Sequence, residues 1–88
     1  MKARFRESFA KDLRSVRDQD LLRRVRVAIE AVERAEGLRE IANLKRLESS
    51  KGYYRIRIGD YRIGLAVDGD TVTFVRFLHR KDLYRWFP

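Results

Sequence analysis

The stretch from Tyr53 to Ile63 reads YYRIRIGDYRI. Apolar side chains alternate with arginines on both sides of its Gly59-Asp60 pair, and a period of two is the pattern of a β-strand with one buried face. Glycine adopts the positive φ that a two-residue hairpin turn needs, so Gly59-Asp60 is expected to be the turn. The stretch therefore predicts two antiparallel strands joined by a tight turn.

The register of this hairpin places its arginines on one face. A two-residue turn sets Ile56 opposite Ile63 and Arg57 opposite Arg62, and the apolar pair must face the core. Arg55, Arg57 and Arg62 then share the other face, where like charges opposite one another repel. Because stability alone would favour an acidic partner, we interpret this face as an anion-binding site. The alternative is a solvated surface on which the long side chains splay apart.

Two further features extend this site. Gly64 and Ala66 follow Arg62 on the same face, and their small side chains are expected to leave room for a phosphate backbone. Arg80 and Tyr84 are four residues apart, so they share one face if the C-terminal segment is a helix. Arginine can bind a phosphate through two parallel hydrogen bonds, and tyrosine can stack on a base or hydrogen-bond a phosphate.

His79 directly precedes this C-terminal segment and is the only histidine of the chain. Histidine is the side-chain type that changes its charge near neutral pH, which suits proton transfer. A single histidine at a strand end also has purely structural uses, so both roles remain open from the residues alone.

Outward from the hairpin, the pattern predicts the remaining elements. Asp68-Gly69-Asp70 indicates a second turn, followed by a strand over Thr71–Leu78 and a short helix from about Arg80 to Trp86. A strand over Lys2–Arg6 is expected at the N-terminus. The segment from Leu38 to Gly52 is expected to be irregular, with Leu44 and Leu47 as its anchors.

Two helices are predicted between the first strand and the irregular segment, because apolar residues recur there every three or four positions. These residues are Phe9, Leu13 and Val16 in the first helix and Leu22, Val25, Ile29 and Val32 in the second. Ser8 is the expected N-cap of the first helix. Asp18 or Asp20 is expected to cap the second, and Gly37 to end it.

The element order predicts an α+β fold for residues 1–88 as a single domain. An N-terminal strand and a helical hairpin pack on an antiparallel β-sheet, and a short C-terminal helix closes the chain. Its 88 residues leave no room for a second domain.

The charge indicates a polyanionic partner. The chain carries 21 lysines and arginines against 13 acids, a net charge of +8. Such a charge attracts RNA, DNA, an anionic membrane or an acidic protein, and we favour nucleic acid over a merely solubilising surface. The absence of cysteine excludes a disulfide scaffold and a thiolate metal site, and the scattered carboxylates indicate no other metal site.

No apolar run approaches the roughly 20 residues of a membrane span, and the N-terminus lacks the apolar core of a signal peptide. We therefore expect a cytoplasmic protein that does not interact with membranes.

The hairpin stretch, together with FLHRKDLYR from Phe77 to Arg85, resembles the RelE-like branch of the RelE/ParE superfamily of toxins. Length and element order also agree, so the resemblance spans nearly the whole chain. It implies the toxin of a type II toxin–antitoxin system: an mRNA endoribonuclease without metal or other cofactor, typically acting at the ribosomal A site. It also implies a cognate antitoxin protein that holds the toxin inactive.

The resemblance assigns roles to residues. The basic strand positions of the family fall on Arg55 and Arg57, its hairpin arginine on Arg62, its C-terminal arginine on Arg80, and its tyrosine on Tyr84. RelE-like enzymes often carry lysines where Arg55 and Arg57 stand, and an arginine effectively cannot give up its proton. These two positions are therefore expected to act through charge alone, which leaves His79 and Tyr84 to move protons.

The expected site has a catalytic and an RNA-binding part. The catalytic candidates are Arg57, Arg62, His79, Arg80 and Tyr84, and the RNA-binding candidates are Lys51, Arg55, Lys81 and Arg85. The expected reaction is attack of a ribose 2′-OH on the adjacent phosphorus. One alternative is a ParE-like toxin that binds DNA gyrase without nuclease activity, because one fold can carry both functions. Another is a non-catalytic RNA-binding protein.

Overall fold

The computed structural model describes residues 1–48 and 51–88. The strands are β1 (Lys2–Phe5), β2 (Leu44–Arg46), β3 (Tyr53–Ile58), β4 (Tyr61–Asp68) and β5 (Thr71–His79). The helices are α1 (Glu7–Arg14), α2 (Gln19–Arg34) and α3 (Arg80–Trp86), with a 3₁₀ turn at Leu38–Glu40. The α+β fold predicted from the sequence is confirmed.

The sheet has the strand order β1-β5-β4-β3-β2. Four strands, β2 to β5, are antiparallel, as expected for the three strands β3 to β5, and β1 runs parallel to β5. The sequence had predicted an N-terminal strand without its direction, because alternation indicates a strand and not how it runs relative to its neighbour. The segment expected to be irregular also contains a strand, the three-residue β2, in which Leu44 pairs with Ile56.

Helices α1 and α2 cover one face of the sheet and form the main core with it. Its fully buried residues include Phe9 of α1, Val25 and Val32 of α2, Ile63 and Leu65 of β4, and Val72 and Phe74 of β5. A smaller cluster lies on the opposite face, where α3 packs through Leu83 and Phe87 beside Leu47. Both faces of the sheet are therefore partly covered, and α3 is fixed by two buried side chains. In the part of the chain that the structure describes, no helix is long and apolar enough to cross a membrane.

The helix ends differ in part from the expectation. Asp18 caps α2 as predicted, since its carboxylate accepts hydrogen bonds from the backbone amides of Asp20 and Leu21 at 3.0 and 3.1 Å. Gly37 is not the end of α2; the helix ends at Arg34 with Ala35 as its C-cap, and Gly37 precedes the 3₁₀ turn in an extended conformation. The N-cap of α1 is Arg6 rather than Ser8.

Ser8 instead helps to cover the edge of β5 that β1 leaves free. Strand β1 ends at Phe5, so β5 has no backbone partner on that side beyond Phe74. The hydroxyl of Ser8 donates a hydrogen bond to the carbonyl oxygen of Val75, and the backbone amide of Phe77 donates to the Asp12 carboxylate at 2.9 Å. Side chains of α1 thus bind the backbone groups of β5 that β1 does not reach. They fix the end of β5 from which α3 begins.

Candidate phosphate-binding site

The β3–β4 hairpin forms as predicted. Gly59 adopts a φ of 58°, and the pairs Ile56–Ile63 and Arg57–Arg62 have the expected register. The apolar pair is buried in the main core. Arg57 and Arg62 therefore lie opposite each other on the far face, as the sequence indicated.

Arg62 is the centre of the positive charge on this face. The pKa of Arg62 is lowered by its partial burial and then by the like charges of Arg55, Arg57 and Arg80, while Tyr84 acts in the opposite direction. These effects require proximity, so the structure brings together the five residues that we call the arginine cluster: Arg55, Arg57, Arg62, Arg80 and Tyr84. The five were dispersed over 30 positions of the sequence and were singled out there.

Backbone carbonyl groups, rather than acids, hold the strand arginines of the cluster. Arg62 donates hydrogen bonds to the carbonyl oxygens of Gly59 and Tyr61, both at 2.9 Å. Arg55 donates to the carbonyl oxygen of Asn43 at 3.1 Å, and the backbone amide of Arg57 donates to the same oxygen at 3.2 Å. Over the described ranges 1–48 and 51–88, no carboxylate forms an ion pair with these three guanidinium groups. Their charge is therefore available to an anion.

Arg80 joins the cluster because the start of α3 is attached to the hairpin turn. The backbone amide of Arg80 donates to the carbonyl oxygen of Asp60 at 2.7 Å. Its Nε lies 3.9 Å from Oδ1 of Asp60, and both side chains are largely exposed. A pair this long and this exposed holds the guanidinium weakly, so a phosphate can displace the carboxylate. Tyr84, one helical turn later, is 70% exposed.

One part of the predicted site was wrong. Gly64 is buried, and its face is not open: a Cβ placed on Gly64 would lie 2.9 Å from three ring atoms of Phe87. Because glycine has no Cβ, the Phe87 ring can pack directly on Gly64. The same ring meets Tyr53 edge-on, with ring centres 5.6 Å apart. The C-terminal segment thus closes the floor of the site beyond Arg62.

His79 is not brought together with the arginine cluster. It pairs with Tyr61, whose side chain packs on the core face, and the two rings meet edge-on with centres 5.4 Å apart. Nδ1 of His79 accepts a hydrogen bond from the backbone amide of Lys81 at 3.2 Å. A β-bulge explains this position: the register between β4 and β5 shifts at Gly64/Leu65, and a one-residue shift moves every later side chain to the other face.

The remaining RNA-binding candidates lie on the surface. Lys51, Lys81 and Arg85 are exposed, and Lys51 directly follows residues 49–50, which lie outside the described part of the chain. The guanidinium of Arg85 lies 5.5 Å from the centre of the Trp86 ring. Their role in binding RNA stays a prediction.

Sequence reasoning missed three residues that hold the cluster in place. The carbonyl oxygen of Asn43 accepts from Arg55 and from the backbone amide of Arg57. Asp60 contacts Arg80 through its carbonyl oxygen and its carboxylate. The buried ring of Phe87 packs on Gly64. Of the three, only Asp60 had a signal in the sequence, as part of the predicted turn, because any residue type can supply a backbone acceptor.

Within residues 1–48 and 51–88, no three His, Cys, Asp or Glu side chains are grouped to hold a metal ion. What the cluster offers chemically is concentrated, permanently positive hydrogen-bond donors for a phosphate group.

Known proteins resemble this chain over nearly its whole length. Residues 3–84 match the profile of a family described as "ParE toxin of type II toxin-antitoxin system, parDE". The chain is 40% identical to Toxin RelE3 of Methanocaldococcus jannaschii over 89 residues, which covers the whole of both chains. The resemblance inferred from the sequence is thereby confirmed.

Solved structures agree with the fold. The toxin in a RelB–RelE antitoxin–toxin complex from Methanococcus jannaschii is 39% identical and superposes with a TM-score of 0.82, covering 97% of this chain and 99% of that one. A chain of the archaeal RelE–RelB complex from Pyrococcus horikoshii has a TM-score of 0.73 over 93% of this chain and 97% of that one. At 22% identity, the second likeness concerns the fold alone.

Proposed function

Because this chain belongs to the ParE toxin family of type II toxin–antitoxin systems, we propose that it is an endoribonuclease that cleaves mRNA, in association with the ribosome, and so arrests translation. The observation that carries the proposal is the convergence of three like charges on Arg62, with no carboxylate paired to the strand arginines in the described ranges 1–48 and 51–88. Like charges placed this close together repel one another, and a bound anion would neutralise them.

Family membership by itself leaves two activities open. The matching profile is named for ParE toxins, whereas the full-length relative is named a RelE toxin. A toxin that acts only by binding DNA gyrase needs no group of guanidinium donors placed to bind a phosphate. The arginine cluster therefore favours cleavage of RNA over the gyrase alternative and over an RNA-binding protein without chemistry.

The cluster fits phosphodiester transfer from the ribose 2′-OH. The 2′-oxygen would form a bond to the adjacent phosphorus while the bond from phosphorus to the 5′-oxygen breaks, leaving a 2′,3′-cyclic phosphate and a 5′-OH. Extra negative charge develops on the non-bridging oxygens in the transition state. Arg57, Arg62 and Arg80 would donate hydrogen bonds to them, which is the main catalytic contribution of preorganised donors. This charge stabilisation requires no metal ion.

Proton transfer in this reaction falls to Tyr84. Arginine cannot exchange its proton in the working pH range, and the ring of His79 lies on the other face of the sheet beside Tyr61. The exposed hydroxyl of Tyr84 is one helical turn from Arg80, where it can protonate the departing 5′-oxygen. The proton of the 2′-OH passes to water, which reaches the exposed cluster.

We also propose that a cognate antitoxin protein inhibits this toxin. The similar Methanococcus jannaschii protein is a RelE bound to a RelB antitoxin. This chain has an apolar groove of about 320 Å³ between α2 and β3, whose lining includes Val27, Ile41 and Ile56. Arg24 and Arg57 also line it, and Val27 is 56% exposed. Apolar walls with basic residues suit an amphipathic, acidic segment, which would reach Arg57 and neutralise the edge of the cluster.

The nature of the products tests the proposal. Purified toxin should cut mRNA on programmed ribosomes and leave 3′ ends with a cyclic phosphate and 5′ ends with a free hydroxyl, both identified by mass spectrometry. Expressed alone in bacteria, it should stop growth and protein synthesis. Inhibited DNA supercoiling with intact mRNA would instead establish the gyrase alternative, and intact mRNA with tight RNA binding would establish the non-catalytic one.

A further inference from the structure

We propose that His79 is a positioning residue: its neutral ring caps α3 and thereby holds Arg80 and Tyr84 at the phosphate site. The inference rests on the proposed function, because the position of these two residues matters to activity only if the cluster acts on RNA. It differs from the proton-transfer role that the sequence suggested for His79.

The first observation is the hydrogen bond at the start of α3. The backbone of His79 is extended, with φ −59° and ψ 147°, and its Nδ1 accepts from the Lys81 amide two residues later, as an N-cap side chain does. Nδ1 can accept only when the ring is neutral and its proton is on Nε2. Helix α3 has seven residues, and so short a helix is unstable by itself. The buried side chains of Leu83 and Phe87 hold its later part, so its first turn depends on the cap.

The second observation is that the ring is fixed from its other side. Tyr61 meets His79 edge-on, and the Tyr61 ring in turn stacks on Phe77 with centres 5.2 Å apart. The strands place Tyr61 and His79 in the same pair of the β4–β5 register. His79 therefore connects the sheet, through its contact with Tyr61, to the first turn of α3, through its hydrogen bond with the Lys81 amide.

The third observation is what this first turn carries. Arg80 follows His79 directly and is attached to the hairpin turn through the carbonyl oxygen of Asp60. Tyr84 is on the next turn, while the buried residues Leu83 and Phe87 hold the far half of the helix. Loss of the cap should consequently loosen the first turn with Arg80, and through it shift Tyr84 on the next turn, without unfolding the domain. Misplacement of a catalytic group by about 1 Å can reduce a rate by about 10²-fold.

Two substitutions distinguish a cap from a proton donor. In His79→Asn, the amide oxygen is attached to Cγ, as Nδ1 is, so it can accept from the Lys81 amide. In His79→Gln, the amide group reaches the position of Nε2 and leaves the cap unfilled. Neither amide transfers protons, and asparagine is among the best N-cap residues. The Asn variant therefore keeps the capping role and loses proton transfer, whereas the Gln and Ala variants lose both.

The experiment compares wild type, His79→Asn, His79→Gln and His79→Ala in two measurements. Amide hydrogen exchange at Lys81 and Tyr84 should be close to wild type in the Asn variant and about fivefold faster in the other two, the usual effect of a lost cap. Ribosome-programmed cleavage should follow the same order, with a loss between about fivefold and 10²-fold in the Gln and Ala variants.

Other results overturn the proposal. Equal loss of cleavage in all three variants, with exchange unchanged in the Asn variant, would make His79 a proton-transfer residue. Wild-type exchange and cleavage in the Gln and Ala variants would mean that the cap has no effect. Absence of cleavage by the wild type would contradict the proposed function instead, while the exchange measurement would still test the cap.

Discussion

The ring of Phe87 lies directly on Gly64, where a Cβ would approach three ring atoms to 2.9 Å. This contact fixes the end of α3 against the middle of β4, next to the arginine cluster. It also explains why the chain has a glycine inside a central strand, a position at which glycine is otherwise unfavourable.

Gly64→Ala should therefore destabilise the domain by about 1–3 kcal/mol, the usual effect of overpacking. The added methyl group must push away the Phe87 ring, which is only 3% exposed and therefore has little room to move. Chemical denaturation gives the change in unfolding free energy. In a Phe87→Ala background the same substitution should have almost no effect, and an equal effect in both backgrounds would show that Phe87 is not the obstacle.

The ion pair between Asp12 and Arg76 should be the most important one for stability among residues 1–48 and 51–88. Asp12 accepts from Nε of Arg76 at 2.8 Å and from the Phe77 amide, and its hydrogen bond raises the pKa of Arg76. The two side chains are only 15% and 25% exposed. Asp12→Ala leaves a half-buried guanidinium and a strand amide without their partner, which should cost about 3 kcal/mol.

A control for this change lies on the same helix. The Glu7–Arg14 pair has the same 2.8 Å separation, but both side chains are largely exposed. Glu7→Ala should change the unfolding free energy far less than Asp12→Ala does, because an ion pair this exposed to water contributes little to stability. Thermal unfolding of both variants provides the comparison. Similar losses in the two would mean that burial does not distinguish the pairs.

Val27→Asp should weaken antitoxin binding about tenfold or more. It places a negative charge in the apolar groove, where an acidic amphipathic segment is proposed to dock, and loss of a central apolar contact is typically a large effect. Because Val27 is exposed, stability should change by only about 0.5 kcal/mol. Cleavage by the free toxin should be unchanged.

Arg26→Asp, also on an exposed position of α2 but outside the groove lining, is the matched control. It lowers the net charge by more than Val27→Asp does. If affinity, measured by titration calorimetry, falls more in the control than in Val27→Asp, general charge attraction governs binding and the groove is not the docking site.

The sequence predicted the arginine cluster because its main part is local. A two-residue turn fixes the register of Arg57 and Arg62, and helical periodicity relates Arg80 to Tyr84; both depend on residues close together in the chain. The parallel pairing of β1 with β5 could not be predicted this way, since it joins segments about 70 positions apart. The three-residue β2 is too short to show alternation.

His79 shows a different limit. Counting alternate residues from the second turn without interruption would place His79 on the same face as Arg62. The irregularity at Gly64/Leu65 sets Gly64 opposite Arg76 and Leu65 opposite Phe74, so that Val75 is an extra residue in β5. Nothing in the local pattern marks this bulge, because it depends on how β5 meets β4 and α1. Ser8, similarly, has the sequence pattern of a cap but binds a carbonyl oxygen of β5.

The ribosome-programmed cleavage rate of Arg62→Ala, taken with its denaturation midpoint, tests whether the guanidinium of Arg62 acts on the phosphate. We predict a rate about 10²–10³-fold below wild type, the usual loss for one transition-state donor. Stability should be unchanged or slightly higher, because the substitution relieves the repulsion from Arg55, Arg57 and Arg80. Ile63→Ala, buried in the core next to it, should instead lose about 2–5 kcal/mol of stability and keep its rate per folded molecule. A folded Arg62→Ala that cleaves at the wild-type rate would contradict the account.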